Sequence, residues 1–102
     1  MTTYQLQVTY NQDAWAAWVR GPHSCAPKIE ATLATLGGRL IGFWWATAEF
    51  DSLLLAELPD ASALAAFRVF AMSLGGIASL RAVPLLTDEA GLAAIARAGK
   101  LS

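Results

Sequence analysis

The stretch Gly37-Gly38-Arg39-Leu40-Ile41-Gly42-Phe43-Trp44-Trp45-Ala46-Thr47-Ala48-Glu49-Phe50-Asp51-Ser52-Leu53-Leu54-Leu55-Ala56-Glu57-Leu58-Pro59-Asp60 decides the fold. Gly37-Gly38 stops a helix. Arg39 to Thr47 is rich in large apolar residues and reads as a strand, Ala46 to Asp51 as a turn, and Ser52 to Leu58 as the returning strand of a β-hairpin. Both faces of the returning strand are apolar, as expected of a central strand covered on both sides. Pro59-Asp60 then opens the next helix, with Asp60 as its N-cap.

Upstream of the hairpin, Tyr4, Leu6, Val8 and Tyr10 alternate with Gln5, Gln7 and Thr9, a period of two that marks a strand. A helix follows, with Asp13 as the expected cap and Trp15 and Trp18 on one face. The run Gly21-Pro22-His23-Ser24-Cys25-Ala26-Pro27 breaks it. A second helical piece resumes from about Ala26 to Leu36, with Ile29, Leu33 and Leu36 as its stripe. Downstream, Leu64, Phe67, Ala71 and Leu74 form a helical stripe that Gly75-Gly76 ends. Ile77 to Leu86 is the fourth strand, and Pro84 within it marks a sheet edge because proline cannot donate to a ladder. Thr87 caps a last helix that carries Asp88 and Glu89 in its first turn.

The order is therefore strand, helix, strand, strand, helix, strand and a helical tail within one domain, residues 1–102. That is the β-α-β-β-α-β antiparallel arrangement of an α+β, ferredoxin-like fold with its helices on one face. The other face would be bare and partly apolar. Either the tail covers it, or a second copy does in a homodimer paired through the sheet face. A tail of about three turns is short for four strands, which favours the homodimer.

Composition bounds the partners. The chain has 102 residues, 56% of them hydrophobic and 15% charged, against about 25% charged in an average domain. Net charge is -1 with no basic stripe, so neither nucleic acid nor an anionic membrane is an expected partner. One cysteine, Cys25, forms no internal disulfide framework. Acidic residues interrupt the longest apolar run, and the first residues carry no leader pattern, so a cytoplasmic location is expected.

With its surroundings, the hairpin resembles the GYD domain family. Ala48-Glu49-Phe50-Asp51 followed by Glu57, Pro59 and Asp60 carries the resemblance, with Leu36-Gly37-Gly38, Leu74-Gly75 and Leu80-Arg81-Ala82 in the matching order. It spans roughly Tyr4 to Ile95 and implies a fold of the dimeric α+β barrel type, without implying a particular activity. Ala48 stands where the family motif has glycine and Phe50 where it has tyrosine; Asp51 is kept.

The candidate site residues each have two readings. Asp51 is either a general base or ligand-orienting carboxylate, or the cap of its turn. His23 is a catalytic candidate near Cys25, or simply a loop residue; one His and one Cys do not make a metal site, and neither metal nor cofactor is expected. Trp15, Trp18, Trp44 and Trp45, with Phe50, are candidates for lining an aromatic pocket between the first helix and the sheet, or for filling core and interface. Trp44 and Trp45 are adjacent on a strand and must face opposite sides. Gln5, Gln7 and Thr9 need partners across an interface or on a ligand, and Glu57 is placed to pair with Arg39 or Arg81. Three functions fit: a homodimeric module binding a small apolar or aromatic ligand, a cofactor-independent or haem-assisted monooxygenase- or cyclase-like enzyme, and a ligand-sensing regulatory dimer.

Overall fold

The computed structural model describes residues 1–101. Its elements run β1 (Thr2–Tyr10), α1 (Gln12–Arg20), α2 (Ala26–Thr35), β2 (Arg39–Trp45), β3 (Ser52–Leu58), α3 (Ala61–Ser73), β4 (Ile77–Leu85) and α4 (Asp88–Gly99). One sheet has the order β2-β3-β1-β4, and its pairs are antiparallel. This is the expected α+β, ferredoxin-like class. Pro84 sits on β4, at the sheet edge, where its missing N–H interrupts no inner ladder.

Local chemistry sets the boundaries. Asn11, not Asp13, caps α1: its Oδ1 accepts from the Ala14 N–H at 3.0 Å, and Asp13 sits in the first turn. The helix can begin that early because the Asn11 N–H also bonds the Gly76 carbonyl at 3.0 Å, fixing the chain as it leaves the sheet. Asp60 caps α3 through the Ala63 N–H at 2.8 Å, and Thr87 caps α4 through the Ala90 N–H at 3.0 Å. Gly37 and Gly75 take φ of +82° and +81° at the ends of α2 and α3, a left-handed conformation in which a side chain would be strained.

Register sorts the side chains. Tyr4, Leu6 and Val8 of β1 stand beside Ala56, Leu54 and Ser52 of β3. With Leu33, Leu58, Phe67, Ala71 and Leu80 they form the buried core under α2 and α3. Fully burying one such leucine contributes about 1.5–3 kcal/mol. On the opposite face Gln5 and Gln7 lie beside Leu55 and Leu53, with Val83, Arg81 and Trp44 flanking them. Gln7 Nε2 donates to Gln5 Oε1 at 2.9 Å, so the glutamine row is partly self-satisfied. Glu57 pairs with Arg39 across β2 and β3.

The register of β2 on β3 passes from Leu40↔Ala56 to Gly42↔Leu55, leaving Ile41 as a bulge. After the bulge Phe43 and Trp45 stand on the helix side, and Trp44 stands opposite Leu53 on the outer face. Gly42 makes room there, because a side chain at that position would run into the Trp44 indole.

The tail does not fold back over the sheet. No residue of α4 is buried. The molecule measures 57 × 30 × 20 Å, with a radius of gyration of 16.0 Å, where a compact chain of this length has about 13 Å. None of the helices among the described residues is long and apolar enough to cross a membrane.

Candidate functional site

The break between α1 and α2 shapes the site. Gly21 to Cys25 separates the two helices, and Pro27 restarts the chain at the N-terminus of α2. Between them, the sheet and α3 lies a cavity of about 300 Å³. Its floor is Val8, Leu54, Ile77 and Leu80 from the sheet, and its walls are Ala14, Ala17 and Trp18 of α1, Ile29 and Thr32 of α2, Phe67, Phe70 and Ala71 of α3, and Leu74 at the C-terminal cap of α3. Three of those wall positions are alanines, and small side chains there leave space that leucines would fill.

Polar groups gather at the end nearest the α1–α2 break. The Tyr10 hydroxyl lies 2.8 Å from Ser52 Oγ, in a hydrogen bond that either can donate. Ser52 is fully buried, so Tyr10 is its route to satisfaction. Burial pushes the Tyr10 phenol up to about 12; the Ser52 hydrogen bond opposes the rise, and negative charge on Cys25 or Asp51 adds to it. Burial also pushes the Cys25 thiol above its ordinary value. Both groups are therefore neutral near pH 7, and the cavity meets a ligand with uncharged hydroxyl and thiol groups. His23, Lys28 and Thr32 are the other polar side chains in the lining. His23 is exposed, with Nδ1 2.9 Å from the Gly21 carbonyl oxygen.

Aromatic rings gather at the same end. Tyr10 and Trp18 have centroids 4.7 Å apart at 81°, and Trp18 and Trp45 lie 5.1 Å apart at 89°. Trp15 contacts Trp18 at 5.5 Å and Trp45 at 6.0 Å, and Phe43 backs Trp45 at 5.3 Å. Edge-to-face pairs of this kind add about 0.5–1.5 kcal/mol beyond area burial. An open cleft of about 480 Å³ lies among Trp15, Trp18, Pro22, His23, Ser24 and Trp45, sharing Trp18 and His23 with the cavity. Trp18 Nε1 is buried without a hydrogen-bond partner among the described residues, and the Tyr10 and Trp45 rings stand nearly perpendicular to its indole.

The structure brings some of the sequence candidates together and separates others. Trp15 and Trp18 stand at the site, and so does His23. Trp44 does not: it faces the outer side, and Trp45 occupies the position beside Trp18. Phe50 is half-buried in the hairpin connection and lines neither the cavity nor the cleft. The Asp51 carboxylate accepts the Tyr10 N–H at 3.0 Å, and its backbone N–H bonds the Val8 carbonyl at 2.9 Å. That geometry fastens the hairpin to the end of β1 and so positions Tyr10. Sequence reasoning passed over Tyr10 and Ser52, and left open which of Trp44 and Trp45 faces the helices. The signal for Tyr10 was its place as the last apolar-face residue of β1, immediately before a helix cap.

The GYD domain family model matches residues 4–95, and the chain belongs to that family. No curated protein matches it. Among solved structures, it is similar to a transcriptional regulator from Neisseria meningitidis in complex with L-methionine, with a TM-score of 0.57 and 22% identity. The match covers 85% of this chain and 51% of the regulator, so this chain spans about half of the regulator's length. A likeness at that identity is one of fold.

Proposed function

We propose that this chain is a homodimeric small-molecule-binding module, whose ligand is a neutral apolar or aromatic compound held between the helices and the sheet. The observation that carries the reading is the cavity of about 300 Å³, lined mostly by apolar side chains with a few polar ones among them. Ligand cavities run from about 300 Å³ upward, apolar with a few orienting polar groups. The Tyr10 and Cys25 groups, kept neutral by burial, suit hydrogen bonding to a ligand better than proton abstraction from one. Small-ligand binding on this fold also has a precedent in the methionine complex of the regulator. Methionine itself is a zwitterion, and this lining offers little to two charges beyond Lys28 at the rim.

Tryptophan fluorescence tests the reading, because Trp15, Trp18 and Trp45 surround the entrance. Neutral aromatic compounds such as indole are expected to change emission saturably and to outcompete methionine. Ala17→Phe, on an exposed helix position that lines the cavity, is expected to weaken binding at least tenfold while the protein stays folded. A panel without any saturable binder, or binding indifferent to Ala17→Phe, contradicts the assignment.

A further inference from the structure

Helix α4 is twelve residues long and has no buried residue. Helices shorter than about 12–15 residues are marginal in water on their own, so its stability must come from something it packs against. Its exposed side chains are not those of a solvated helix: Leu92 is 57% and Ile95 68% exposed, three apart on one face. Leu86, also exposed, continues the apolar surface back toward β4. The link from β4 is only Leu86 and Thr87, and the helix carries the molecule out to its 57 Å length. Among the described residues, none buries the stripe.

The charges on α4 say what would. Asp88 and Glu89 occupy the first turn, Arg97 the last, and Lys100 the C-cap. Two copies of this helix laid antiparallel place Leu92 of one against Ile95 of the other. The same alignment brings the acidic end of each beside the basic end of its mate. A parallel pair sets like charges together at both ends, which costs rather than stabilises. An isologous two-fold contact has this self-complementary form.

We propose that α4 is a dimerisation arm, which packs antiparallel against the α4 of a second copy through Leu92 and Ile95. It rests on the homodimer proposed above and adds an element to it: the arms hold the copies together beyond the edges of the sheets.

Light scattering and sedimentation on the full chain decide this. Wild type is expected to be dimeric at micromolar concentration. Leu92→Glu with Ile95→Glu, and separately Leu92→Lys with Ile95→Lys, are each expected to raise the dimer dissociation constant at least tenfold. Near-UV dichroism from the tryptophans should be unchanged, since neither position is buried. Mixing the acidic and basic variants is expected to restore the dimer, because the arms then attract. A wild-type monomer overturns both the homodimer and the arm. A wild-type dimer that both variants leave intact overturns the arm alone. Weakened variants that fail to recover on mixing show an arm seated on another surface, which overturns the antiparallel pairing.

Discussion

Tyr10 concentrates more of the site's chemistry than any residue picked out from the sequence. Its backbone holds Asp51, its hydroxyl satisfies buried Ser52, and its ring meets Trp15, Trp18 and Trp45. Removing the hydroxyl leaves Ser52 Oγ buried without that partner, so Tyr10→Phe is expected to destabilise by about 1–3 kcal/mol in urea denaturation. The same variant has a pH signature. The Tyr10 phenol titrates at about 12 in the folded chain, against an ordinary value of 10.0. A raised value means the folded state holds its proton where the unfolded state has lost it. Stability is thus fully present below about pH 10 and declines as pH rises toward 12. The raised Cys25 thiol acts in the same direction from a lower starting point. Tyr10→Phe should flatten the alkaline limb and leave the smaller Cys25 slope. Asp51→Ala, which frees the Tyr10 N–H, is expected to cost about 1–2 kcal/mol by the same measurement. None of this could be read from residue types alone: the sequence offers Asp51 as a turn cap or a general base, whereas the bond its carboxylate accepts comes from a backbone N–H 41 positions away.

At the level of elements, the sequence was legible wherever local chemistry decides. Two Gly-Gly stops, the Asp60 and Thr87 caps and the edge proline all act within a few residues, and all were visible. Gly37→Ala or Gly75→Ala forces a side chain into φ near +80° and is expected to cost about 1 kcal/mol in thermal or chemical denaturation. The start of α1 was misread because Asn11 and Asp13 are equally good caps in isolation. The tie is broken by the bond from Asn11 N–H to Gly76, a contact between chain segments distant in sequence. Asn11→Ala keeps that backbone bond but removes both the side-chain cap on the Ala14 N–H and the bond that Asn11 Nδ2 donates to the Gly75 carbonyl oxygen, so it should exceed the usual cap cost of about 1 kcal/mol. The Ile41 bulge is the other non-local decision. It sets which tryptophan of the adjacent pair faces the helices, and alternation alone showed that they must part without showing which goes where.

The whole molecule has two apolar faces with different fates. One closes over the core and leaves a cavity because α1 and α2 are split at Gly21 to Cys25. The other, with Leu53, Leu55, Val83 and Trp44 around a glutamine pair, stays open beside the unpacked α4. The sequence foretold both faces from strand periodicity and the short tail. It raised an aromatic pocket between α1 and the sheet but not its extent, because empty volume depends on how alanines of α1 and α3 line up, which no single element encodes. Methyl NMR during a titration with indole separates the two faces most directly. Binding in the cavity should shift the methyls of Val8, Ile29, Leu54, Ile77 and Leu80 saturably while those of Leu53, Leu55 and Val83 stay still. Shifts confined to the outer-face methyls, or no saturable shift at all, would contradict a ligand site between the helices and the sheet.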